Sequence, residues 1–147
     1  MWVGKRGGER RRASATLEMA FILMPLMMTF MGVIEYSRYL FVRGLADNAC
    51  REGARFAIVH ATDRTTADVQ AQVTSKLAGQ SSAFSGLVIN VYKIDPATGT
   101  NQGAWTNARF GDGIAVQIVG NYVPMIPLVN KNSVTISTTA VMLCEAN

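Results

Sequence analysis

Few residues of this chain carry groups that could do chemistry, and their spacing sorts them. The single histidine, His60, follows a long apolar and then amphipathic run. No second histidine and no cysteine cluster gives it metal-ligand spacing. Serines and threonines are frequent, yet one histidine at a helix end is thin support for a catalytic triad. A solvated or locally hydrogen-bonded imidazole is the expected state. Gly4, Gly7 and Gly8 form no phosphate loop, because no strand precedes them and no Lys-Ser or Lys-Thr pair follows. No catalytic residue, metal or cofactor is expected, and the chain reads as a non-enzyme.

Two other features carry more. Glu18 stands at the head of an uncharged run, residues 19–34. A carboxylate in an apolar membrane-length helix costs roughly 2.5–3.5 kcal/mol on insertion scales and is a functional candidate by default. The plainer reading puts Glu18 at the headgroup interface, where it escapes burial. The second feature is the cysteine pair. Cys144 falls by alternation on the apolar face of the last predicted strand, and Cys50 falls on a helical stripe of small residues. Outside the cytoplasm a disulfide between them would persist. That bond is the expectation, with two buried thiols as its alternative.

These groups are positioned by a long helix. Residues 17–41 suffice to span a hydrocarbon core of about 30 Å, which takes about 20 residues. Pro25 removes one backbone hydrogen bond and is expected to bend the axis, as membrane helices tolerate. Met19, Met24, Met27, Met28 and Met31 supply adaptable apolar bulk, for lipid or for helix packing. Of the leader, residues 1–13, the first twelve residues are expected to be disordered. It holds Lys5, Arg6, Arg10, Arg11 and Arg12 against Glu9, which accounts for the whole net charge of +4. Basic flanks stay cytoplasmic, so the N-terminus is predicted inside and the remainder outside. A secretory signal is the rival reading, but residues 35–39 make a poor small-x-small cleavage site. No basic patch with interleaved aromatics follows, so nucleic acid is not an expected partner.

From Arg38 onward the helix turns amphipathic. Ala46, Ala49, Cys50, Gly53, Ala54 and Ala57 recur at spacings of three and four, a stripe that lets another layer approach closely. Arg43, Asp47 and Arg51 mark a solvated side. A second helix is predicted over about 65–77, capped by Thr62 or Asp63. Strands are predicted over 87–94, 113–123 and 133–144, with residues 96–103 as a polar connection and 124–127 as an interruption. Three strands with one solvated face fit an antiparallel sheet. The expected class is α+β, a helical stem with a small head. The domain reading is a leader at 1–13, a membrane and stem helix at 14–60, and a head at 61–147.

Several short motifs in order carry a resemblance. They are Arg12-Ala13-Ser14-Ala15-Thr16-Leu17-Glu18-Met19-Ala20, Leu23-Met24-Pro25-Leu26, Gly32-Val33-Ile34-Glu35-Tyr36-Ser37-Arg38 and Ala49-Cys50-Arg51-Glu52-Gly53-Ala54-Arg55. Over about residues 12–60 the chain resembles the TadE/TadG-like family, minor pseudopilins of bacterial tight-adherence (Flp-type) pili. At this length it is TadE-like. Beyond residue 60 only the strand pattern is similar. The resemblance implies a pilin-like lollipop fold and a cut by a prepilin peptidase between Ala13 and Ser14. It implies pairing of Glu18 with a freed amine, including that of a neighbouring subunit. Implied partners are other pilins or pseudopilins, the pilus assembly machinery and the lipid bilayer of the bacterial inner membrane. One departure bears on processing, since Ala13 stands where the family usually has Gly. The alternatives are an uncleaved single-pass adaptor and a small-ligand sensor with a periplasmic domain.

Overall fold

The computed structural model describes residues 6–126 and 134–144, with side chains from Ser14 onward. The chain divides into two compact units, Met1–Ser37 and Arg38–Asn147. Helix α1, Arg6–Val59, contributes to both. After it come α2 (Thr66–Lys76), a 3-10 turn (Gln80–Ala83), β1 (Phe84–Ile94) and β2 (Asn101–Gly103). A second 3-10 turn (Trp105–Asn107), β3 (Gly113–Tyr122) and β4 (Val134–Leu143) complete the order. The class is α+β, as expected from the patterning.

α1 starts earlier than expected, taking in residues 6–13 of the leader. Arginine is a good helix former, and a helix nucleated downstream extends by one hydrogen bond for each residue it fixes. The expected irregularity of residues 1–5 lies outside the described residues, as do Pro127 and Ser133. α2 is also capped differently from the expectation of Thr62 or Asp63. Thr65 is the cap, and its backbone N–H and its hydroxyl both donate to Asp68 Oδ2 at 2.9 Å. These bonds satisfy the start of the helix and hold the Asp68 carboxyl below its ordinary range.

The sheet is antiparallel and has four strands in the order β2-β1-β3-β4. The expectation of three strands is corrected by β2, which lies inside the predicted connection. β2 is short, polar and fully exposed, so it shows no alternation to detect. It forms because the turn closes on itself: Gly99 N–H donates to Asp95 O at 2.8 Å, and Asp95 N–H donates to Thr100 O at 3.0 Å.

On β3, Ile114, Val116, Ile118 and Tyr122 are buried, and Gln117 and Asn121 point the other way. On β4, Ile136 is buried while Thr135, Ser137 and Thr139 are exposed. β1 is less regular, for a specific reason. Phe84 pairs with Tyr122 and Ser85 with Asn121, but Val88 pairs with Val119. One extra residue sits in β1, and Gly86 takes φ +66° there, a conformation that favours glycine. The bulge shifts inward-facing parity from Phe84 to Leu87, Ile89 and Val91.

The inward face is covered by α2 and by the part of α1 in the C-terminal unit. Ala46, Ala49, Cys50, Ala54 and Ala57 are buried, together with Val69 and Val73 of α2. At Gly53 a Cβ would overlap Val73 Cγ2 and would lie 3.4 Å from Val116 Cγ1. The small stripe therefore admits a helix and a strand together, where only a sheet was expected.

Candidate functional site

In the N-terminal unit the predicted site residues occupy successive turns of α1. The backbone of Ala13 is helical, and its side chain lies outside the described residues. Ser14 Oγ donates to Glu18 Oε1 at 3.5 Å, an i,i+4 contact on an exposed surface and at the long limit for a hydrogen bond. With the Ala13–Ser14 peptide intact, the hydroxyl is the only donor Ser14 offers from its side chain. Pro25 sits within α1 and provides no N–H, while its carbonyl accepts from Thr29 Oγ1 at 2.9 Å. Around them the apolar side chains are uncovered, Phe21 at 80% and Ile22 at 68% exposure. Among the described residues this is the one helix long and apolar enough to cross a membrane, and the protein buries none of its apolar window.

The cysteines overturn the expected Cys50–Cys144 bond. Both thiols are buried and neither is in a disulfide. Cys50 Sγ donates to Thr138 O at 3.5 Å, and Cys144 Sγ donates to Ile58 O at 3.9 Å. The helix and the strand thus run past each other with the cysteines at opposite ends of the contact. Eight helical residues separate Cys50 from Ile58, about 12 Å of rise. Six strand residues separate Thr138 from Cys144, about 20 Å. A disulfide needs Cα atoms within about 7 Å. Alternation placed each thiol on the correct face, but it carries no information about position along that face.

Other polar groups serve packing. Thr138 Oγ1 donates to Asp47 Oδ1 at 3.0 Å, and Asp47 Oδ2 pairs with Arg51 at 3.1 Å. Asp47 is thus not merely solvated, as its spacing from Arg43 and Arg51 implied. A signal existed: Thr138 is the polar residue at an inward position of β4. Arg38 Nη1 donates to Tyr122 OH at 3.0 Å and to Val123 O at 3.2 Å, with its guanidinium 5.3 Å from the Tyr122 ring centre. Trp105 is buried, and its Nε1–H donates to Thr66 Oγ1 at 2.9 Å. The sequence gives no hint of either partnership, because both join residues distant along the chain.

His60 Nδ1 lies 3.1 Å from Asp63 Oδ1, and its ring lies 4.6 Å from that of Phe56. Among the described residues no three His, Cys, Asp or Glu side chains gather closely enough to hold a metal ion. A surface cleft of about 850 Å³ is lined in part by Ile58, Lys93, Arg109, Phe110, Asp112 and Cys144. Its charges are largely internal to the fold: Lys93 Nζ donates to Asp112 Oδ2 at 3.4 Å, and Arg109 N–H donates to the same oxygen at 2.9 Å. The Arg109 amide first, and Lys93 after it, hold the Asp112 carboxyl below its ordinary range.

Comparison with known proteins gives one result on this geometry. Residues 13–55 match a family described as TadE-like protein. No curated protein and no solved structure matches the chain. The matched stretch opens at Ala13 and takes in Glu18, Pro25, the uncovered apolar run and most of the small-residue stripe. Across residues 13–55, the chain is similar to this TadE-like family.

Proposed function

We propose that the protein is a structural minor pilin or pseudopilin of a tight-adherence (Flp-type) pilus or a related secretion filament. It would act in assembly, priming or at the tip, and not in catalysis. One observation carries the reading: the TadE-like match covers a helix whose apolar side chains no protein covers and whose first turns hold Ser14 and Glu18. Such a surface needs lipid or neighbouring helices around it. The five basic residues before Ala13 favour an N-terminus in the cytoplasm and the C-terminal unit in the periplasm. On this reading a prepilin peptidase cuts between Ala13 and Ser14. The freed amine, with an ordinary pKa of about 7.7–8.0, then pairs with Glu18 of its own or a neighbouring subunit. Other pilins or pseudopilins, the assembly machinery and the bilayer are the proposed partners.

The second reading, an uncleaved single-pass adaptor, is favoured by two features of the junction. Ala13 replaces the usual Gly, and the backbone is helical through Ala13 and Ser14. A protease binds extended backbone, so this turn must unwind before cutting. Intact mass of the protein from its native host, with co-purification of pilus components, separates the two readings. The proposal expects a mature chain beginning at Ser14, and full-length protein accumulating in the membrane for Ala13→Leu. Glu18→Ala should insert but fail to join the assembly. Wild-type protein that begins at Met1 and still assembles would refute processing and favour the adaptor.

A further inference from the structure

One stretch of strand edge in the C-terminal unit is left open between two caps. Cys144 N–H donates to Asp112 O at 2.8 Å, and hydrogen-bonded pairs alternate with non-hydrogen-bonded ones along an antiparallel ladder. Even-numbered β3 residues therefore turn their main-chain groups toward β4, and odd-numbered ones toward β1. Ala115 stands opposite Tyr92 and Gln117 opposite Asn90, so Tyr92 and Asn90 bond to β3. Ile89, Val91 and Lys93 then face away from β3. Asp95 N–H has the same parity, and it donates to Thr100 O at 3.0 Å on that far side. There Lys93 pairs with Gly103 of β2, and the Ile89 carbonyl accepts from Gln70 Nε2 at 2.8 Å. Val91 lies between these caps and is half-buried. Among the described residues nothing bonds to its N–H or its C=O on that side.

These two groups open into a cleft of about 690 Å³ bordered by α2, β1 and the β2 turn, a size that takes a small ligand. Among the described residues no charged side chain lines it. Its neutral side chains are each held by an internal hydrogen bond that leaves another polar atom free. Gln70 uses Nε2 on Ile89 and keeps Oε1. Thr66 Oγ1 accepts from the buried Trp105 and keeps its proton. Asn101 Oδ1 accepts from Gly103 N–H at 2.7 Å and keeps Nδ2. Asn90 Nδ2 donates to Gln117 Oε1 at 3.4 Å, which leaves Asn90 Oδ1 and Gln117 Nε2. Groups already oriented by the fold lose little freedom on binding.

We infer that this cleft binds a neutral saccharide, with two adjacent hydroxyls of one sugar ring against Val91. The lining holds nothing that would neutralise a phosphate, a carboxylate or an ammonium group. Its mixture of free donors and acceptors matches hydroxyls, each of which gives one hydrogen and accepts others. An extended residue turns its N–H and C=O the same way and close together. Adjacent ring hydroxyls therefore reach both, one accepting and one donating. Tyr92, the one aromatic ring of the lining, supplies an apolar surface for the C–H groups of the sugar. An extended peptide would also pair with Val91, but a strand needs a longer edge, and this one is closed by Gln70 on one side and β2 on the other. The site lies within the C-terminal unit and stands whether or not the leader is cut.

The test is an amide proton–nitrogen correlation NMR titration of the full-length chain in dodecylphosphocholine micelles, a detergent without a sugar headgroup. The probes are maltose, lactose, mannobiose and N,N′-diacetylchitobiose, each taken to its solubility limit. At least one should shift the Val91 amide and the Asn101 and Gln117 side-chain amides along one saturable curve. Asn90→Ala, at an exposed position, removes one acceptor and should weaken that binding by about twofold to tenfold. Its remaining amide positions report that the variant is folded. Glucuronate and an end-blocked neutral tripeptide should leave Val91 unmoved. Four disaccharides without effect, or saturable shifts confined to other residues, would overturn the inference. Equal binding by glucuronate or by the tripeptide, or a folded Asn90→Ala with unchanged affinity, would overturn it as well.

Discussion

The two parts of α1 bury apolar surface by different rules. Residues 19–34 carry large side chains all around the helix, with Met27 at 46% and Phe30 at 53% exposure. From Ala46 to Ala57 the buried residues are alanine, glycine and cysteine on one face, and there Ala46, Ala49, Ala54 and Ala57 are fully buried. Lipid conforms to any surface, so bulk suffices and periodicity is unnecessary. A folded layer does not conform, so the helix must present small groups at fixed spacing. One element thus carries two vocabularies, each fitted to its solvent.

Substitutions can sharpen or break that contrast. The largest effect is expected at Trp105, which lies in the packed C-terminal unit. Trp105→Ala removes a buried ring and leaves Thr66 without its donor, at a cost of about 3–5 kcal/mol. A denaturant titration reads this directly. Met27→Arg should behave in the opposite way. It should cost about 2.5–3.5 kcal/mol in membrane insertion while leaving the unfolding transition of the C-terminal unit in place. A large shift in that transition would mean that the apolar run is supported by protein and not by lipid. Gly53→Leu should destabilise the packed unit by about 1–3 kcal/mol through overpacking against Val73 and Val116. Gly32→Leu, where an added Cβ meets nothing within 4 Å, should leave thermal unfolding unchanged. If the two glycines respond alike, the distinction between the regions fails.

The smallest effect is with pH. Asp68, Asp95 and Asp112 are each held below the ordinary carboxyl value of 3.8, chiefly by backbone N–H donors from Thr65, Ala97 and Arg109. Their folded pKa values are depressed, so the stability they contribute is complete above 3.8. It is lost as pH falls through the folded values. Thermal melts of the C-terminal unit should therefore be flat in this respect from neutral pH to about 4 and decline on further acidification. A decline on raising the pH instead would contradict the sign.

The legible part of the fold was written in local patterns. The apolar run, the small stripe and the alternation of β3 and β4 each repeat within a few residues, so face and element type follow from order alone. What escaped depends on closure between distant segments. β2 is polar and exists because a turn brings Asn101 and Gly103 against Ile94 and Lys93. The β1 bulge was visible only as imperfect alternation, although Gly86 marks its place. Cys50 and Cys144 show the limit most sharply: each side was right and the pairing was wrong, because position along a contact is not encoded in parity. At the N-terminus, the contact of Ser14 with Glu18 follows from their i,i+4 spacing on one helix.

The unbridged thiols have a consequence for how the protein is made. Cys50 and Cys144 are enclosed by the fold and satisfied by carbonyls of β4 and α1. Folding of the C-terminal unit therefore calls on no electron acceptor and no isomerase to choose among bridges. It can be completed on either side of a membrane, under glutathione or in air, and reach the same end state. For a chain whose anchor fixes where it must be delivered, the fold itself is indifferent to the redox chemistry it meets on arrival.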